Sequence, residues 1–227
     1  MTDTSPNPQL LRSLGRLARG LSALFWGLPA ALIICTGTLN VEVLRPLGVV
    51  PALAVNALLL YGLWQMDDFQ SQERPWRAAL DRAKLLGIVN LGLSPFLFFY
   101  KQMPSQLLFE CSLLLLFISA LLFLFNLNVV LKQLGAMLPD ETLRQETKQF
   151  TVLNRWLLVV WVLFTALTIL LPDHLLATLR LNPYTISLLV HFVTTLQLVL
   201  GLAPVAITMA LIWKAKEVIL DGVFGVR

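Results

Sequence analysis

Charge is scarce in this sequence: only 13% of its 227 residues are Asp, Glu, Lys or Arg, where a soluble domain carries about a quarter. That shortage excludes an ordinary water-facing shell. Cysteine is rarer still, with Cys35 and Cys111 alone, which excludes a disulfide framework and a cysteine-built metal centre. No P-loop, no glycine-rich dinucleotide turn after a strand and no HExxH pair occurs. What is abundant is apolar: 57% of residues are hydrophobic and the mean hydropathy is +0.77. The net charge of +4 does not indicate a nucleic-acid partner, because the basic residues stand at the ends of apolar segments, where membrane topology already accounts for them.

A membrane-spanning helix needs about 20 largely apolar residues. Six segments qualify, from Leu21 to Leu39, Pro46 to Met66, Lys84 to Tyr100, Leu107 to Leu131, Trp156 to Leu171 and Tyr184 to Trp213. Fourteen of the 17 basic residues fall on one side: Arg12, Arg16 and Arg19; Arg74, Arg77, Arg82 and Lys84; Lys132, Arg144, Lys148 and Arg155; Lys214, Lys216 and Arg227. Arg45, Lys101 and Arg180 fall on the other. The positive-inside rule makes the first side cytoplasmic, with both termini there. The expected fold is therefore an all-α polytopic bundle of six spans in three hairpins, with cytoplasmic amphipathic linker helices. Its parts are a basic amphipathic arm over 1–20, a membrane domain over 21–213 with linkers near 67–83 and 132–155, and a tail over 214–227. A bacterial cytoplasmic membrane is the default location. Arg12, Arg16 and Arg19 precede the first span as a signal peptide's basic region would, but bulky Ile34 before Cys35 argues against cleavage, so the helix is read as retained.

In the arm, Leu10, Leu14, Leu17 and Leu21 repeat every three to four residues, with Arg12, Arg16 and Arg19 opposite. Such a helix suits contact with anionic lipid headgroups. Pro139-Asp140-Glu141 marks a helix start. A faint threefold repeat is visible: Arg16 and Pro29 recur as Arg82 and Pro95, and Lys84 and Asn90 as Lys148 and Asn154.

Polar residues within spans are costly and usually face the bundle interior. Here they are Asn56, Asn90, Glu110, Asn126, Asn128, His191 and Gln197. Glu110 is either a proton or cation site or a wet carboxylate near a helix start. His191 without companion ligands suits an interhelical hydrogen bond better than a metal. Gly92-Leu93-Ser94 with His191 superficially resembles the serine–histidine dyad of rhomboid proteases, which also have six core spans. Phe96 replaces the glycine that would complete G-x-S-x-G, and no glycine-rich pattern follows His191. Asp67-Asp68 with Glu73 is similar to one metal-binding cluster of membrane prenyl transferases, but the second, facing cluster is missing. No catalytic residue, metal or cofactor is expected. The remaining classes are a non-catalytic subunit, anchor or assembly factor with a protein partner or homo-oligomeric contacts; a small-solute or ion transporter using Glu110, His191 and Gln197; and an intramembrane enzyme on a lipid-like substrate.

Overall fold

The computed structural model describes residues 8–40, 46–70, 72–103, 106–138, 140–170 and 183–224. Arg45, Pro139, Arg180 and Arg227 lie outside the described residues, as does the side chain of Leu10. The regular elements described are all helices: α1 (Pro8–Asn40), α2 (Val50–Gln65), α3 (Arg74–Leu93), α4 (Phe96–Gln102), α5 (Leu107–Met137), α6 (Glu141–Leu170) and α7 (Pro183–Phe224). The chain is an all-α, multi-pass membrane protein.

Among the described residues, five helical stretches are long and apolar enough to cross a membrane, α3 and α4 together making one of them. The second expected span is shorter than its apolar run, because regular helix begins only at Val50 and gives 16 residues, about 24 Å. Gly48, at φ 59°, makes the turn before it in a conformation that favours glycine. Pro51 and Pro75 stand in the first turns of α2 and α3, where their missing N–H groups cost nothing. The third span breaks at Ser94–Pro95. Pro95 cannot donate to the Leu91 carbonyl four residues back, and the Ser94 hydroxyl supplies that bond instead, at 2.9 Å.

The amphipathic segments expected between spans are not separate helices. The N-terminal arm is continuous with the first span through the 33 residues of α1. Likewise, α3 and α6 run unbroken from polar sequence into apolar sequence, and α5 from apolar into polar. At α6 the Asp140 carboxylate accepts the Thr142 amide at 2.9 Å, capping the helix where the sequence placed its start.

α1 packs mainly along α2, α3 along α5, and α6 along α7. Further contacts join α2 to α3, α5 to α6 and α7 to α1, so the six long helices close a ring. The main core lies towards the end that carries the ion pairs, termed the charged end below. Leu17, Leu21, Leu24 and Leu28 recur on one face of α1, all buried, and join a cluster with Leu63 of α2, Met66 at its end, Leu80 of α3, Leu131 and Leu134 of α5, and Leu211 and Ile212 of α7. Leu17 and Leu21 are 0% exposed. At Leu17 and Leu21 the apolar face is thus covered by this chain, while Arg12, Arg16 and Arg19 on the other face are exposed.

Glycine sets one close helix crossing. A Cβ on Gly20 would meet the Gly62 carbonyl oxygen at 2.6 Å, and one on Gly62 the Gly20 oxygen at 3.0 Å, so α1 and α2 approach with bare backbones. A smaller cluster of Ala52, Leu97 and Leu116 joins α2, α4 and α5 nearer the far end, with Cys35 of α1 against it.

Candidate functional site

Three helices meet at a buried polar node. Asn128 of α5 and Asn154 of α6 each donate Nδ2–H to Thr208 Oγ1 of α7 at 3.0 Å. Asn154 also reaches the Pro204 carbonyl at 3.3 Å, and the Thr208 hydroxyl donates to that same oxygen at 2.7 Å. Asn128 further donates to Leu124 O at 2.8 Å. These side chains are almost wholly enclosed, at 2%, 0% and 0% exposure for Asn128, Asn154 and Thr208. The donors are satisfied, but the Oδ1 atoms of Asn128 and Asn154 are buried without a donor. A buried acceptor left so costs about 1–3 kcal/mol. The node can therefore take up a donor, and water is the simplest one. Asn90 Oδ1 on α3 and Ser119 Oγ on α5 are buried without partners as well.

Beyond the node, ion pairs tie the charged end. Arg16 of α1 pairs with Asp68, and Lys84 of α3 holds Asp67 at 2.5 Å and Asp81 at 3.8 Å. Lys214 of α7 pairs with Glu146 of α6. Two acids just past the end of α2 oppose its dipole, and the basic side chains of α1 and α3 offset that charge. Most partners are about half exposed, so each pair contributes little to stability; they set which helices adjoin.

The expected polar residues divide. Asn128 belongs to the node. Asn56 is buried and bonds Ala52 O of its own helix at 2.8 Å, and Asn126 bonds Leu122 O the same way. Asn90 is buried. Gln197 donates to Thr165 Oγ1 of α6 at 3.4 Å, while its backbone carbonyl accepts Trp161 Nε1–H at 3.1 Å. Glu110 and His191 are exposed, Glu110 in the first turn of α5. Glu110, His191 and Gln197 thus share no buried site. Ser94 is fully buried with its hydroxyl on Leu91, whereas His191 is exposed. Asp67 and Asp68 are engaged by Lys84 and Arg16. Among the described residues no group of three or more His, Cys, Asp or Glu is placed to hold a metal ion, and both cysteines are free thiols.

Sequence reasoning missed Asn154 and Thr208 as node members. Asn154 sits beside Arg155 in sequence that reads as a polar linker. The signal was its spacing: Thr147, Asn154 and Leu158 fall on one helical face, and all three are buried. Thr208, a single hydroxyl in an apolar run, carries no such signal. Comparison with family models, curated proteins and solved structures gives no match to this chain.

Proposed function

We propose that this chain is a non-catalytic component of a membrane complex, a subunit, anchor or assembly factor that works through a protein partner. The observation that carries the reading is the bare flank of α7. Over residues 187–202, partial cover is confined to Val193, Leu196, Gln197, Leu200 and Gly201, at i, i+3, i+4, i+7 and i+8. That single face meets α6, where a Gly201 Cβ would lie 3.1 Å from the Trp161 ring. Leu188, Leu189, Val190, Phe192, Leu198, Val199 and Leu202 are all exposed. An apolar helix in contact along one face alone has most of its circumference open to a second transmembrane helix.

The charged end is cytoplasmic in this reading, on the lysine and arginine bias. From Leu107 to Asn128 the helix rises about 31 Å, close to the hydrocarbon thickness, so the node lies near the inner boundary and the ion-paired ends stand in the cytoplasm. Arg12, Arg16 and Arg19 then lie at the level of anionic headgroups.

The test is gentle extraction from native membranes and mass spectrometry of what copurifies. A stoichiometric companion, lost on replacing Leu189 and Leu198 with Trp while insertion stays normal, supports the reading. A lone monomer or a homo-oligomer overturns it. A small-solute or ion transporter is the second reading, favoured by the donor-deficient oxygens of Asn128 and Asn154. It requires proteoliposome flux that Asn154→Leu abolishes.

A further inference from the structure

The bare flank of α7 is not uniformly apolar. The face that meets α6 is centred on Val193, Leu196, Gln197 and Leu200. With about 3.6 residues per turn, His191 and Thr195 project from the opposite side, and Leu198 and Leu202 continue their stripe at i+7 and i+11. His191, Thr194 and Thr195 are all exposed. From Thr208 in the node back to His191 the helix rises about 26 Å, and to Thr195 about 20 Å. With the node at the inner boundary, both residues lie within the hydrocarbon, about 30 Å thick. Polar side chains at such depth ordinarily turn into their own bundle. These turn away from it.

Their hydrogen bonds define the occupant. The Thr194 hydroxyl donates to Val190 O at 2.6 Å and the Thr195 hydroxyl to His191 O at 2.8 Å, so both hydrogens are used within the helix. Each oxygen can still accept. Among the described residues none bonds the His191 ring, and an uncharged imidazole carries one N–H that needs an acceptor. The face therefore calls for an acceptor at His191 and a donor at Thr195, one helical turn apart. An Asn or Gln carboxamide carries both, on separate atoms and without charge. A hydroxyl puts both on one atom, and a carboxylate only accepts and brings charge into hydrocarbon. A second copy of this chain fits poorly, since symmetric pairing sets His191 against His191 and Leu198 against Leu198. The stripe has no Gly or Ala there to let two like backbones approach. We propose that this face docks a transmembrane helix of the partner protein that carries Asn or Gln at the depth of His191. Its C=O accepts the imidazole N–H, its NH₂ donates to Thr195 Oγ1, and Leu198 and Leu202 extend the contact by packing. This rests on the reading that the chain works through a protein partner, and it names the chemistry of that contact.

The chain has two histidines, His174 and His191. Labelling the full chain with ¹⁵N-histidine in lipid bilayers therefore gives a readable His191 signal, identified by its loss in His191→Leu. The probe is a lysine-flanked leucine–alanine helix of about 22 residues with one Asn about 5 Å below its outer end. Versions with Leu or Asp at that position are the comparators. The Asn helix should shift the His191 ring nitrogens saturably and associate about fivefold more tightly than the Leu helix. Thr195→Val should reduce that preference to about twofold. A His191 signal unmoved by the Asn helix overturns the proposal, as does an equal response to the Leu or the Asp helix. A signal that moves with the number of chains per bilayer, before any peptide is added, gives the face to a second copy and overturns it too. A companion that copurifies from native membranes while the Asn helix leaves His191 unmoved sinks the docking face and spares the partner reading. A saturable Asn-helix response in a chain that purifies alone supports the face and overturns that reading.

Discussion

The charged end of the bundle and the far end of its α6–α7 pair are built from the same leucine-rich helices, yet only the first is close-packed. Leu17, Leu21, Leu127, Leu134 and Ile212 are 0–1% exposed, whereas Leu163, Leu167, Leu188, Phe192 and Leu198 are 55% exposed or more. The sequence differs little in hydrophobicity between these groups. The partners differ. Helices in lipid hold together by shape, small residues and polar contacts, and the charged end has the Gly20–Gly62 crossing and the Asn128–Thr208–Asn154 node to supply them. At the far end the α1, α2, α4 and α5 contacts still have Ala52 and Leu97 to interlock. There the α6–α7 pair has Trp161 against Gly201 and the hydrogen bonds of Gln197 with Trp161 and Thr165.

The largest effect that would break this contrast is expected at Gly20. Gly20→Leu forces side-chain volume into the Gly62 backbone and should cost about 3 kcal/mol or more, read as loss of the monodisperse peak after mild heating in detergent. Gly92→Leu, with nothing within 4 Å of its Cβ, should leave that peak unchanged. Next comes Asn154→Leu, which removes two donors from the node and should cost about 1–2 kcal/mol, measured as an earlier midpoint of thermal unfolding. Thr208→Val should be non-additive with it, because both changes remove the same bond. Lys214→Ala should cost about 1 kcal/mol or less, an effect that shrinks as salt is raised. Smallest of all, Leu188→Ala and Leu198→Ala in the isolated chain should stay within about 0.5 kcal/mol; a larger loss there would mean that the bare flank is packed after all.

Much of the fold was legible in composition and spacing. The apolar runs of α5 and α7, and Asp140 before α6, read directly from sequence. The continuity of arm and span in α1 did not, because the change from polar to apolar at Leu21 looks like a boundary, while helical hydrogen bonding runs through it. The same blindness hid the buried face of the arm: Leu17 and Leu21 show the same period whether a helix or a lipid surface covers them. The polar residues were legible one at a time and not as a set. Asn128 stood out, but its partners lie 26 and 80 positions away, and only the ring of helices brings them together. Glu110, His191 and Gln197 stood out equally and do not meet, since spacing along separate helices says nothing about their relative rotation.

The closed ring has a consequence for chain order. Because α7 packs against α1, with the Phe25 and Trp213 rings 5.6 Å apart, neighbours in space follow one another around the circle without regard to where the chain begins. A circular permutant that links the end of α7 to the start of α1, and opens instead between α5 and α6, keeps every helix interface and changes only the order of synthesis. Each helix pair is then interchangeable as the first to enter the membrane, and assembly becomes a matter of closing a circle rather than of following a sequence.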